Sequence, residues 1–216
     1  GKMKEGLVEY KGRWVTPEEK DALERGLVLK DGRWMSEREA KALEGLVDYK
    51  GGWVKKEELE ALRLRDTLVE ASGVPLTVAQ SERFSVASVY NQAFTNQLLA
   101  DAEKAFADFS SLYGLKDGER IFDDPFNKKK ARCSIVVLEK EPQYQKFIDG
   151  LLRIHEDLKK ITRPERIELW RRQKGFYLVD PDCWIVGYQF PFPQEQTRHT
   201  LVHKLSHVML LRAPPF

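Results

Sequence analysis

Cysteine is nearly absent: Cys133 and Cys183 are the only two in 216 residues. Two thiols exclude a disulfide-dense scaffold and a four-cysteine zinc site, and they leave a single disulfide as a pairing that sequence does not decide. No apolar run approaches the roughly 18 residues of a membrane span, and mean hydropathy is −0.51. Neither sign of charge dominates. Lys and Arg total 36 against 34 Asp and Glu, a net charge of +2. That balance makes no electrostatic case for bulk nucleic-acid binding or a polybasic membrane anchor. The basic runs at Lys128, Lys129, Lys130 and Arg132 and at Arg171, Arg172 and Lys174 have no RNA-stacking motif or zinc knuckle beside them. They read as solvated loop and helix ends. No signal peptide precedes the first ordered pattern, and Gly1 in place of a start methionine suggests a trimmed chain with room for an export signal upstream. What is present is 42% hydrophobic and 32% charged residues, enough apolar matter for a soluble globular core in one domain or two small ones.

The first stretch is an internal repeat. EGLVEYKGRWVTPEEKDALE is followed by RGLVLKDGRWMSEREAKALE and then by EGLVDYKGGWVKKEELEALR. Gly6, Gly26 and Gly45 lead the copies, and Trp14, Trp34 and Trp53 recur within them. Lys11-Gly12, Asp31-Gly32 and Lys50-Gly51 suit two-residue hairpin turns, because glycine reaches positive φ at low cost. Thr16-Pro17-Glu18-Glu19 is a capping box with proline at the first helical position, and Ser36-Glu37-Arg38-Glu39 repeats the box. The third copy has Lys55-Lys56-Glu57 and loses it. Each unit therefore reads as a ββα element: a hairpin, then a helix of about two turns. One unit cannot bury its own Trp and Leu, so the copies must pack together or on the main domain. The tryptophans are expected to be at least half buried, as the repeating core of the module. If they are exposed instead, they form a binding stripe for a wall polymer, a sugar or a peptide. Charge does not separate this part: residues 1–72 carry 15 basic and 16 acidic side chains. Ser72-Gly73-Val74-Pro75 marks the boundary between a repeat module at 1–73 and a second domain at 74–216.

The second domain reads as α+β. Residues 82–88 alternate around Phe84, Val86 and Ser88 as a strand. Residues 91–113 form the strongest helix, with Phe94, Leu98, Ala102, Ala105, Phe106, Phe109 and Leu112 on one face and Gly114 as the stop. Residues 133–138 are a nearly continuous apolar run, a buried strand. A helix follows over 142–160, with Tyr144, Phe147, Ile148, Leu151 and Leu152 inward. Arg163-Pro164 opens a short piece. Residues 176–179 and 183–188 flank Asp180-Pro181-Asp182 as a hairpin. A loop from Pro191 to Pro193 leads to a last helix over 195–212. This order supports a small mixed sheet with packed helices.

His199, His203 and His207, three of the four histidines, are each four residues from the next on that last helix. Neighbours at this spacing share a face, and a pair can offer two imidazole nitrogens to one metal. His199 and His207 lie about 12 Å apart along the axis, so only one pair can chelate. The segment Thr200-Leu201-Val202-His203-Lys204-Leu205-Ser206-His207-Val208-Met209 resembles the active-site helix of zincin metallopeptidases, whose frame is H-E-x-x-H. Upstream, the Phe84 strand, the helix ending Leu112-Tyr113-Gly114-Leu115, the Ile135 strand, the Tyr144-x-x-Phe147 helix and Gly175-Phe176-Tyr177 follow in a similar order. Over residues 80–212 the chain resembles a peptidase-MA-like, gluzincin-type domain of large bacterial proteins. The resemblance implies a zincin-like N-terminal half, His203 and His207 as metal ligands, and an extracytoplasmic setting.

Two departures separate the chain from that family. The general-base glutamate is replaced by Lys204, and an ammonium cannot take a proton from metal-bound water. The family's third ligand, a glutamate on a later helix, has no counterpart in the nine residues after His207, so the domain is expected to be incomplete at its C-terminus. Glu195 is about two turns from His203 and badly placed to substitute, and His155 cannot be placed from sequence. Ser206 adjoins His207, but adjacent helical residues point apart. The favoured reading is a non-catalytic zincin-like binding or structural protein, with no cofactor expected and zinc held only weakly. The rival is a metallopeptidase fragment whose third ligand and lower subdomain lie elsewhere. A third reading is a repeat module that binds a polymer or peptide through Trp14, Trp34 and Trp53. The partner expected is a protein or polymer ligand. Self-association, or cover by the repeat module, is expected around Val202, Leu205, Met209 and Leu210.

Overall fold

A computed structural model describes residues 6–115, 121–123, 131–179, 182–188 and 194–212. The basic residues at 128–130, the Asp180-Pro181 turn, the loop from Pro191 to Pro193 and the side chain of Glu195 lie outside the described residues. The chain divides into two compact units, residues 1–60 and residues 61–216.

The first unit holds the repeats as three hairpins. These are β1 (Val8–Tyr10) with β2 (Arg13–Val15), β3 (Leu27–Lys30) with β4 (Arg33–Ser36), and β5 (Leu46–Tyr49) with β6 (Gly52–Lys55). Their turns are Lys11-Gly12, Asp31-Gly32 and Lys50-Gly51, and both residues of each turn have positive φ, as the primed hairpin turn requires. Helix α1 (Pro17–Glu24) begins at Thr16 and α2 (Glu37–Leu43) at Ser36, each with a reciprocal capping box. Lys55 offers no side-chain cap, and the third copy enters its helix through a 3₁₀ turn at Lys56–Glu58. Helix α1 packs on its own β1 and on the following β3, while α2 packs on β3, β4 and the following β5.

The tryptophans occupy one register, opposite Glu9, Leu29 and Asp48. Their burial is unequal. Trp34 is partly buried, Trp53 is 38% exposed, and Trp14 at 57% exposed departs from the expected burial. Both α1 and α2 pack closely on the second hairpin, whereas α1 packs closely on the first. The first indole accordingly has less to lie against.

The third helix, α3 (Leu59–Ser72), runs for 14 residues rather than two turns. Its Leu68 and Ala71 enter the core of the second unit, so the last helical run belongs there and not with the repeats. The remaining elements are β7 (Thr77–Gln80), β8 (Phe84–Ser88), α4 (Gln92–Tyr113), β9 (Cys133–Leu138), α5 (Glu141–Ile154), α6 (Glu156–Ile161), α7 (Pro164–Arg172), β10 (Gly175–Leu178), β11 (Trp184–Tyr188) and α8 (Gln194–Arg212). The fold class is α+β: a five-stranded mixed sheet in the order β10-β11-β9-β8-β7, with helices on it. The pairs β8/β9 and β9/β11 are parallel, and the outer pairs are antiparallel. None of the described helices is long and apolar enough to cross a membrane.

Strand alternation feeds two cores. Phe84, Val86, Cys133, Ile135, Val137 and Ile185 point to one side, under α4 and α8. Val136, Leu138, Trp184, Val186 and Phe176 point to the other, under α3, α5 and α7. Cover on both faces is why β9 is apolar at nearly every position. Asn91 caps α4 by accepting from Phe94 N at 2.9 Å, and Gly114 ends it in the left-handed conformation. Leu112 departs from the expected inward face and is exposed. The helix expected over 142–160 is two helices, because the backbone leaves helical geometry at His155.

Candidate functional site

Leu201, Leu205, Val208 and Met209 form the buried stripe of α8 and anchor it on the sheet and on α4. That stripe dictates where the other side chains point. His203 and His207 lie outside that stripe and are exposed. Their Nε2 atoms are 3.3 Å apart, with the rings edge to face at 4.7 Å. Two nitrogens bound to one tetrahedral zinc at about 2.0–2.1 Å would be about 3.3–3.4 Å apart. The pair therefore stands at chelating separation. Tyr177 of β10 stacks on His207, with centroids 5.4 Å apart and planes within 1°. This contact was not legible in the sequence, since β10 and α8 meet only in the folded chain.

Lys204 leaves α8 on the flank facing β10. A Cβ on Gly175 would lie 3.3 Å from Lys204 Cε and 2.5 Å from the carbonyl oxygen of Val186. Glycine at 175 therefore gives the lysine stem room to lie along the strand. Burial of that stem holds the Lys204 ammonium below its ordinary pKa of 10.5. A depressed lysine pKa means that the charged form is disfavoured on folding, so the unfolded chain binds the proton more tightly. The penalty is in force at neutral pH and fades as pH rises from the depressed pKa through 10.5. Lys204→Met is expected to be more stable than the parent at pH 7 and to lose that advantage above pH 10.5. Thermal melts at the two pH values check this; an advantage that does not change with pH would contradict it.

The other candidates fall away from the pair. His199 is exposed and lines a groove of about 740 Å³ between α4 and α8, together with Phe109, Leu112, Val202 and Leu210. Of the apolar residues expected to be uncovered on α8, Val202 and Leu210 are exposed but Leu205 and Met209 are fully buried. His155 meets Trp184 edge to face at 5.8 Å, on the opposite side of the sheet. Ser206 Oγ donates to the backbone oxygen of His203 at 2.8 Å, so its hydroxyl serves the helix rather than His207. Among the described residues no group of three His, Cys, Asp or Glu side chains is placed to hold a metal. Two imidazoles beside an ammonium do not fit a catalytic zinc, which takes three protein ligands. No protein family model, curated protein or solved structure matches this chain.

Proposed function

We propose that the second unit is a non-catalytic zincin-like domain that serves as a binding or structural part. One observation carries this reading: Lys204 follows the first of two histidines held at chelating separation. In a metallopeptidase that position needs a carboxylate, which accepts a proton from metal-bound water and adds negative charge near a dication. An ammonium does neither. The pair retains the spacing for weak metal contact, through His203 and His207 alone.

The test is a zinc and hydrolysis assay on the full chain. After loading with zinc and dialysis against metal-free buffer, the protein is expected to retain well under one zinc per chain. It is also expected to hydrolyse fluorescent casein no faster than buffer containing zinc. One zinc per chain together with hydrolysis abolished by a chelator would overturn the reading in favour of a peptidase.

A second reading draws on the repeats. Trp14 and Trp53 present exposed indoles at equivalent hairpin positions, which favours a module that binds a polymer or peptide. Large, rigid aromatic surfaces are the usual anchors of such contacts. Retention on an insoluble cell-wall polysaccharide is expected to fall at least about tenfold in Trp14→Ala/Trp53→Ala, the loss of one modest hot spot. Equal retention by parent and variant would remove this reading.

A further inference from the structure

The only two cysteines of the chain are 50 positions apart in sequence, and the fold brings them side by side. Strands β9 and β11 are parallel, with Ser134 paired to Trp184, so the preceding residues Cys133 and Cys183 are also neighbours. The Ser134 N–H donates to the Cys183 carbonyl at 2.8 Å, which fixes the register at this end of the ladder. Both side chains enter the same core, the one under α4 and α8, alongside Phe84, Ile135 and Ile185. We infer that Cys133 and Cys183 are a redox pair that closes into a reversible intrachain disulfide between β9 and β11.

Adjacent strands lie about 4.8 Å apart, inside the roughly 4.4–6.8 Å Cα range that a disulfide spans. Directly facing Cβ atoms at that spacing stand at or just beyond the wide end of the disulfide range, about 4.5 Å. Closure therefore draws the two strands together slightly. Cys133 opens β9 and Cys183 immediately precedes β11, so the adjustment falls at the end of the ladder and not in its middle. A bond closed under such strain is more easily reduced than a relaxed structural one. This is why the pair is assigned as reversible.

Both thiols are buried in the folded chain, and burial pushes the Cys133 thiol well up, so attack from the native state is slow. Cys183 Sγ donates to the Val179 carbonyl, a contact that oxidation gives up. The oxidant is a small disulfide acting while the core is open, during folding or local unfolding. One cysteine thiolate attacks the oxidant's S–S bond, forms a mixed disulfide and releases one thiolate. The second cysteine thiolate then attacks the bound cysteine sulfur and releases the other. Two chain thiols are oxidised, one small disulfide is reduced to two thiols, and the two cysteine protons end on the released thiolates.

The experiment refolds the 216-residue chain from guanidinium into glutathione buffers that run from fully reduced to fully oxidised, so that burial does not limit access. Each sample is quenched with N-ethylmaleimide in denaturant and weighed intact. The expected series passes from a chain with two maleimides to a chain with none. The latter is about 2 Da lighter than the dithiol and runs as a monomer on a non-reducing gel, and digestion joins the Cys133 and Cys183 peptides. Dithiothreitol restores both maleimides, and thermal melting of the oxidised chain rises by several degrees, as expected of a cross-link between distant residues. Cys183→Ala should give one maleimide under reduction and glutathione on Cys133 under oxidation, with no intrachain bond. Two maleimides at every redox poise, or only glutathione adducts and intermolecular dimers of the parent chain, would overturn the assignment.

Discussion

Lys204→Glu is expected to raise the zinc affinity of the His203–His207 pair about thirtyfold at low salt. The residue leaves the same helix one position from His203 and is half-buried beside β10. Exchanging +1 for −1 beside a dication at roughly 7 Å is worth about 2 kcal/mol even at the dielectric of water. Added salt should reduce the gain, because exposed charges are screened over about 10 Å at 0.1 M. Lys204→Met removes the repulsion without adding attraction and should recover about half of the effect in free energy. Competition with a chromophoric zinc chelator measures all three chains. The glutamate variant restores one of the parts a peptidase needs and leaves the third ligand unsupplied, so turnover is not expected to accompany the tighter zinc. An affinity unchanged across the three chains would show that the lysine is not near the metal position.

Gly150→Ala is expected to destabilise the second unit by about 2 kcal/mol, a large fraction of a typical domain's stability. Gly150 is buried in α5, and an added Cβ would come within 2.4 Å of both Cα and O of Ala71 in α3. Those are backbone atoms of a packed helix and cannot rotate away. Alanine would return about 1 kcal/mol of helix propensity, while overpacking typically costs about 1–3 kcal/mol and more where the neighbour is rigid. The clash therefore wins. Gly114→Ala makes a useful contrast. It meets no atom within 4 Å and is strained only by its φ of +66°, for about 1–2 kcal/mol. Urea melts of the two variants should keep that order, with Gly150→Ala the worse. A Gly150→Ala chain as stable as the parent would mean that α3 and α5 separate without cost.

The local signals were the legible ones. Asn91 and Gly114 bounded α4 because caps are written in one or two residues. The run 133–138 matched β9 end to end because a strand covered on both faces is apolar at nearly every position. His203 and His207 could be paired on one face from helical spacing alone. What failed was set by partners distant in sequence. The short strand β7 was missed, since Thr77–Gln80 is half-buried throughout and carries no strong alternation. Leu112 sits at the right helical phase yet beyond the reach of the sheet, so it faces the groove beside α8. The break at His155 carries no glycine or proline to announce it. The stacking of Tyr177 on His207 and the meeting of Cys133 with Cys183 both depend on the parallel and antiparallel order of the sheet, which hydrophobic period does not encode.

The repeat module passes its contact forward: α1 rests on the hairpin after it, and α2 rests on the hairpin after that. An array built on such a hand-on rule has no preferred copy number. Unequal crossing-over within the gene can add or drop one segment of about 20 residues and still leave each helix a following hairpin to rest on, because each unit sees only its neighbours. Copy number then acts as a length setting that evolution can turn in single clicks.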